Sequence, residues 1–372
     1  MIQKQLYSKF LTLLLLFCMY GIINGNPLAR LVSISNITPQ IASSYGDYVP
    51  PASGSWFINE NTRVENLNAQ LNGSIEIESN IAIEFVNCTF HFISDHHVKM
   101  LSNSNITLKG LNVTISNKSV IEIVNCKNIT LENINARGFG GDHDYVGIHT
   151  YDTQNVSVFD SVFQNFAKGV YAGNITDFYF ENNIFEQTSE TESTDGELQV
   201  EAGSKRLTFY RNTIRNCALD GFEIRETSEI NITQNIIIGG NVGLGITKNS
   251  SNAFVINNTF INSNCVLDSV DYVNVEKNNF ENGWLSSNLV NNAIIRYNTL
   301  DYVENLTYFD ATCTNFTQSD NYFRYVLPDP SDDESDHSPE DGIDGFNPIV
   351  FVGCMFVCGK LLIRKTKTYK ND

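Results

Sequence analysis

Apolar residues recur along this chain in short two-residue alternations, not in stripes spaced three and four apart. The recurring string Asn258-Thr259-Phe260 sets a register with anchors at 88, 111, 134, 161, 183, 212, 235, 258, 278, 298 and 321. Two residues after each anchor stands Phe90, Val113, Ala136, Phe163, Phe185, Ile214, Ile237, Phe260, Phe280, Leu300 or Phe323, apolar at all eleven positions. Before the anchors come pairs two apart: Ile83 and Phe85, Ile106 and Leu108, Ile129 and Leu131, Val156 and Val158, Phe178 and Phe180, Leu207 and Phe209, Ile230 and Ile232. Neighbouring side chains of a strand face opposite sides, so each pair marks the inward positions of a short strand.

Most anchor intervals fall between 20 and 23 residues. Helical repeats are longer and follow a 3.6 rhythm, so each unit is one coil of an all-β solenoid, a single-stranded parallel β-helix of about eleven coils. Stacked at ~4.8 Å, the coils make a rod roughly 50 Å long. The anchors Asn183, Asn212, Asn235, Asn258, Asn278, Asn298 and Asn321 predict an asparagine ladder. Its role is structural: Asn tolerates unusual turn angles, and stacked amides both donate and accept.

The ends read differently from the repeat. Lys4 and Lys9, the apolar run Phe10 to Ile23 and the small residues after it have the layout of a secretory signal peptide over 1–25, followed by a linker over 26–55. Beyond the β-helix, placed at 56–327, residues 328–344 form an acidic, proline-containing segment read as an extended spacer. The apolar stretch within 345–364 and the basic tail 365–372 predict a transmembrane helix with a cytoplasmic flank. The expectation is a protein exported to the cell surface and held by a single membrane pass.

Net charge is −18, and setting both ends aside leaves 17 bases against 41 acids, a net of −24. Binding nucleic acid requires neutralising phosphates with Lys and Arg, which excludes it as the expected partner. A polymer held by hydrogen bonds and stacking, or a cation such as Ca²⁺, fits better. The exported part carries five cysteines, Cys88, Cys126, Cys217, Cys265 and Cys313, which cannot all pair internally. Fourteen N-x-S/T acceptor sequences include the glycosylation candidates Asn72, Asn87, Asn105, Asn155, Asn174 and Asn231.

Strings such as Asn155-Val-Ser-Val-Phe159 and Asn231-Ile-Thr-Gln-Asn235 resemble the right-handed parallel β-helix repeats of pectate-lyase-like proteins, of the carbohydrate-binding and sugar-hydrolase type also found in archaeal surface proteins. The resemblance runs from about Trp56 to Tyr325 and implies right-handed coils. It also implies that sugars bind over the first strand of each coil. The fold hosts lyases, hydrolases, isomerases, adhesins and spacers alike. The chain lacks Gly-His-Gly, Arg-x-Pro-x-x-Arg and Trp-Ile-Asp-His, and its one Asp-Asp pair, Asp332-Asp333, lies in the spacer, which argues against polygalacturonase and pectate lyase.

Two long intervals, 27 and 29, place extra chain at Arg137 to Val146 and Glu186 to Glu197, where loops of such proteins wall a groove. Alternation then gives the groove floor. Ile148, Val170, Leu198, Phe222 and Leu244 face in; His149, Tyr171, Gln199, Glu223 and Gly245 form one outward row, and Tyr151, Gly173, Glu201, Arg225 and Thr247 the next. Tyr151, Tyr171 and Gln199 are the candidate ligand-binding residues, since tyrosines stack on pyranose faces and amides bond hydroxyls. Glu201, Glu223, Arg225 and His149 are the catalytic candidates, because a lyase needs a base and a cation and a glycosidase needs two carboxyls. Asp142, His143 and Asp144 are a candidate metal set for Ca²⁺ or another divalent ion. The same outward polar residues also suit a solvated surface with ion pairs, and the expected function is carbohydrate binding, adhesion or an envelope role, with a polysaccharide lyase or glycosidase as the alternative.

Overall fold

A computed structural model describes residues 50–324, apart from residue 94 and residues 116–118, 139–144, 187–195, 218–219, 302–306 and 310–312. The proposed signal peptide, most of the linker, the spacer, the anchor and the tail lie outside the described residues. Among the described residues no helix is long and apolar enough to cross a membrane.

Three parallel sheets of twelve strands each build the fold, with every third strand joining the same sheet. One strand from each sheet makes a coil. The Phe column stacks as the anchors require, Phe90↔Val113, Val113↔Ala136, Ala136↔Phe163, Phe163↔Phe185 and onward to Leu300↔Phe323. From Phe90 to Leu300 this column is buried. Aromatic members stack flat where they meet on adjacent coils, with ring centroids 5.3 Å apart for Phe163 and Phe185 and 4.7 Å for Phe260 and Phe280. A continuous apolar interior of this kind is what lets each coil bury a face that it could not bury alone.

Two details depart from the sequence reading. The sheets hold twelve strands against eleven anchors, because Leu67 opens a further set of pairings, Asn68↔Thr89 and Ala69↔Phe90. Ile83 pairs with Leu108 and not with Ile106, a slip of two residues. An even slip keeps both side chains pointing inward, so the core pattern alone could not reveal it.

Corners between sheets are built from residues in the left-handed region. Asn80, Asn105, Asn128 and Asn155 have φ between 56° and 61°. Their side chains form an outer ladder, Asn105 Nδ2 donating to Asn80 Oδ1 at 2.7 Å, Asn128 to Asn105 at 2.7 Å and Asn155 to Asn128 at 2.9 Å. Asn is favoured here because its short side chain lowers the cost of φ > 0. The acceptor sequences at 105, 128 and 155 are thus also corner Asn, inward Ile or Val, outward Thr or Ser. Asn72, Asn87, Asn105, Asn155 and Asn174 are exposed and Asn231 is half-buried.

The inner asparagine ladder is present. Asn183, Asn212, Asn235, Asn258, Asn278 and Asn298 each donate from backbone N and from Nδ2 to Oδ1 of the next rung at 2.8–3.0 Å, ending on Asn321. Each Nδ2 also reaches a backbone carbonyl of the preceding coil, as from Asn235 to Phe209 O at 2.9 Å. Cys88, Cys126, Cys265 and Cys313 are free thiols.

Candidate functional site

The outward face of the first sheet carries the predicted rows in the predicted register. Its strands here are Val146–Tyr151, Lys168–Gly173, Gly196–Val200, Asp220–Arg225 and Val242–Thr247. His149, Tyr171, Gln199, Glu223 and Gly245 pair in succession, and Tyr151 pairs with Gly173 and Arg225 with Thr247. Glu201 follows its strand directly, its backbone N bonded to Ala172 O at 2.8 Å. Inward partners Ile148, Val170, Leu198, Phe222 and Leu244 are fully buried, so the face is rigidly backed.

Contacts knit the face across coils. Tyr171 donates its hydroxyl to Glu201 Oε2 at 2.8 Å, and Gln199 Nε2 donates to Glu201 Oε1 at 3.0 Å. Arg225 Nη2 meets Glu223 Oε1 directly. The His149 ring lies 5.5 Å from that of Tyr171, and Lys168 Nζ sits 4.8 Å above the same tyrosine. Tyr151 is 46% exposed, and its ring lies over Gly173, where an added Cβ would come within 2.7 Å of Cε2. A glycine at 173 therefore leaves room for a flat aromatic surface. Gln199 and Glu223 point outward but are buried beneath this surface.

The row extends further than sequence reading took it, to Glu122, the register partner of His149, and Lys99, the partner of Glu122. His97 Nε2 lies 2.9 Å from Glu122 Oε2. Burial pushes the His149 pKa below its usual value; Glu122 opposes the shift, while His97 and Lys168 reinforce it. The imidazole is therefore biased toward its neutral form.

Beside the row runs a column that sequence reading missed. Gly147, Gly169, Gly221 and Gly243 occupy one position of four coils, and Glu197 fills the same position on the coil between Gly169 and Gly221. A Cβ at Gly169 would fall 2.5 Å from Phe185 Cδ1, and one at Gly243 would fall 2.1 Å from Ser263 Oγ. Glu197 is 3% exposed, and its Oε1 has no hydrogen-bond partner. Burial pushes its carboxyl up to about 8, although the Gly169 N–H favours the charged form. The signal was there to find: one acid in an aligned run of glycines.

Asp142, His143 and Asp144 lie outside the described residues. Among the described residues no group of three or more His, Cys, Asp or Glu is placed to hold a metal ion.

Residues 73–197 match a family described as right handed beta helix region. No curated protein matches the chain in sequence. Among solved structures, the periplasmic alginate epimerase AlgG is similar with TM-score 0.51 and 9% identity over 73% of this chain and 77% of its own. PfbA, a surface adhesin of Streptococcus pneumoniae, is similar with TM-score 0.53 and 12% identity over 72% of this chain and 84% of its own. At such identities the likeness concerns the fold.

Proposed function

We propose that this chain, a right-handed parallel β-helix repeat protein, is a cell-surface carbohydrate-binding or adhesive element whose ligand lies on the outward face of the first sheet. The observation that carries the reading is the Tyr151 and Tyr171 pair on neighbouring coils, one ring laid over Gly173 and the other held by Glu201. An aromatic face flanked by fixed hydrogen-bonding groups is what pyranose recognition uses. The outward position of the row and the rigid core behind it mean that little ordering is needed when a polymer docks. Neighbours in fold include a surface adhesin and an enzyme of a polysaccharide, which supports a polysaccharide partner. Display outside the cell on a membrane tether is part of this proposal and rests on the sequence pattern of residues 1–25 and 345–372 alone.

The carboxyl groups favour binding over turnover. Glu201 already accepts two hydrogen bonds, and Glu223 is tied to Arg225. A second reading, a polysaccharide lyase or glycosidase, draws on His149, whose neutral ring beside Tyr171 is placed to move a proton. The experiment is a glycan-array screen of the full chain beside Tyr151→Ala and a Glu201→Gln, Glu223→Gln double variant, with reducing sugar and unsaturated product followed. Binding lost in Tyr151→Ala without product supports the proposal. Product formed by the parent and lost in the double variant replaces it with the enzyme, and no binding at all removes it.

A further inference from the structure

The charge around the tyrosines bears on which polymer could lie there. From Lys99 to Arg225 the two outward rows carry three carboxylates, Glu122, Glu201 and the buried Glu223, against the Lys99 ammonium and one guanidinium. That guanidinium, Arg225, is engaged with Glu223. Lys168, at the edge, lies against the Tyr171 ring, and the strand two coils further on brings Asp220 to the matching edge position. His149 is biased toward the neutral form and adds no dependable positive charge.

We infer that this face selects an uncharged hexopyranose polymer and turns away polyuronates, an inference that rests on the binding proposed above. A polyuronate carries a carboxylate on every sugar, about one per coil spacing. Forked guanidinium donors recognise such groups best, and here the one guanidinium of the two rows already faces a carboxylate. Each like-charge meeting at about 5 Å in water-like surroundings lowers affinity by about fourfold. Sugar hydroxyls have the opposite relation to the face. They are donors, and Glu122 and Glu201, both partly exposed, supply charged acceptors. The chain thus shares its fold with an alginate epimerase while its face is unsuited to an anionic chain.

The test is retention of the full chain on four immobilised polymers: a β-glucan, a galactan, polymannuronate and chitosan, each at low salt and at about 0.5 M salt, where exposed charges are screened. The expected result is binding to the β-glucan or the galactan that salt leaves unchanged, and much weaker retention on polymannuronate at low salt. The isosteric variants Glu122→Gln and Glu201→Gln should each gain about fourfold on polymannuronate, a gain that salt abolishes. Circular dichroism of both variants checks that the coils remain intact. Polymannuronate held more tightly than the neutral polymers would overturn the inference, as would retention on chitosan alone. Silence from all four, with Tyr151→Ala indistinguishable from the parent, would instead remove the binding proposal itself.

Discussion

Replacing Glu197 with glutamine should stabilise the protein by an amount set by pH. The carboxyl is buried at a position that neighbouring coils give to glycine, and its pKa is pushed from an ordinary 4.5 up to about 8. Between those values the folded chain keeps a proton that the unfolded chain has released, so the carboxyl destabilises the fold increasingly as pH rises through the window. Each pH unit costs about 1.4 kcal/mol, which gives about 3 kcal/mol at pH 7 and a plateau of about 5 kcal/mol above pH 8. Below pH 4.5 both states are protonated and the cost vanishes. Glutamine copies the protonated shape, keeps an oxygen for the Gly169 N–H and cannot ionise. Denaturant unfolding followed by circular dichroism at pH 4, 7 and 9 should show parent and variant alike at pH 4. The variant should then lead by about 3 and about 5 kcal/mol at the higher values. A difference independent of pH, or a parent more stable than the variant at pH 9, would refute the reasoning.

Three further outcomes follow from the geometry. Asn235→Ala leaves the buried Asn212 backbone N–H without its acceptor, while Asn212 Nδ2 keeps Phe180 O, and should cost about 3 kcal/mol in denaturant unfolding, whereas Asn105→Ala on the exposed ladder should cost under about 1 kcal/mol. Gly169→Ala drives a methyl against Phe185 and should cost about 2 kcal/mol, and adding Phe185→Leu should recover part of it; a double variant no better than the single would contradict the assigned clash. In an NMR titration His149 should lose its proton at a pH below 6.5, the ordinary midpoint, and a midpoint at or above that value would show that Glu122 outweighs burial.

Much of this was legible in the sequence for one physical reason: a parallel stack repeats the same environment on every coil, so the column after the anchors had to be apolar throughout. The outward row from His149 to Gly245 could be named because its strands alternate cleanly around fully buried residues. What escaped did so where alternation carries no information. The slip at Ile83 and Leu108 preserves parity, and the pairings opened by Leu67 lack the Asn-Thr-Phe string. Glu197 was read as part of a loop, because a lone acid before Leu198 looks like a turn until its glycine neighbours are aligned. The reach of Tyr171 to Glu201 and the capture of Arg225 by Glu223 depend on rotamers, which a sequence does not write down.

Every rung of the inner ladder is its own complement. It presents Oδ1 to the coil before it and N–H groups to the coil after it, so any two rungs fit together whatever lies between them. A whole coil with Asn at its anchor could be cut out or spliced in between Asn183 and Asn321 without orphaning a single amide. The segment before Ser161 has no such ladder: Leu111 and Ile134 carry apolar side chains, and Cys88 donates its thiol to Val64 O at 3.2 Å. The ladder itself therefore sets no count of coils between Asn183 and Asn321.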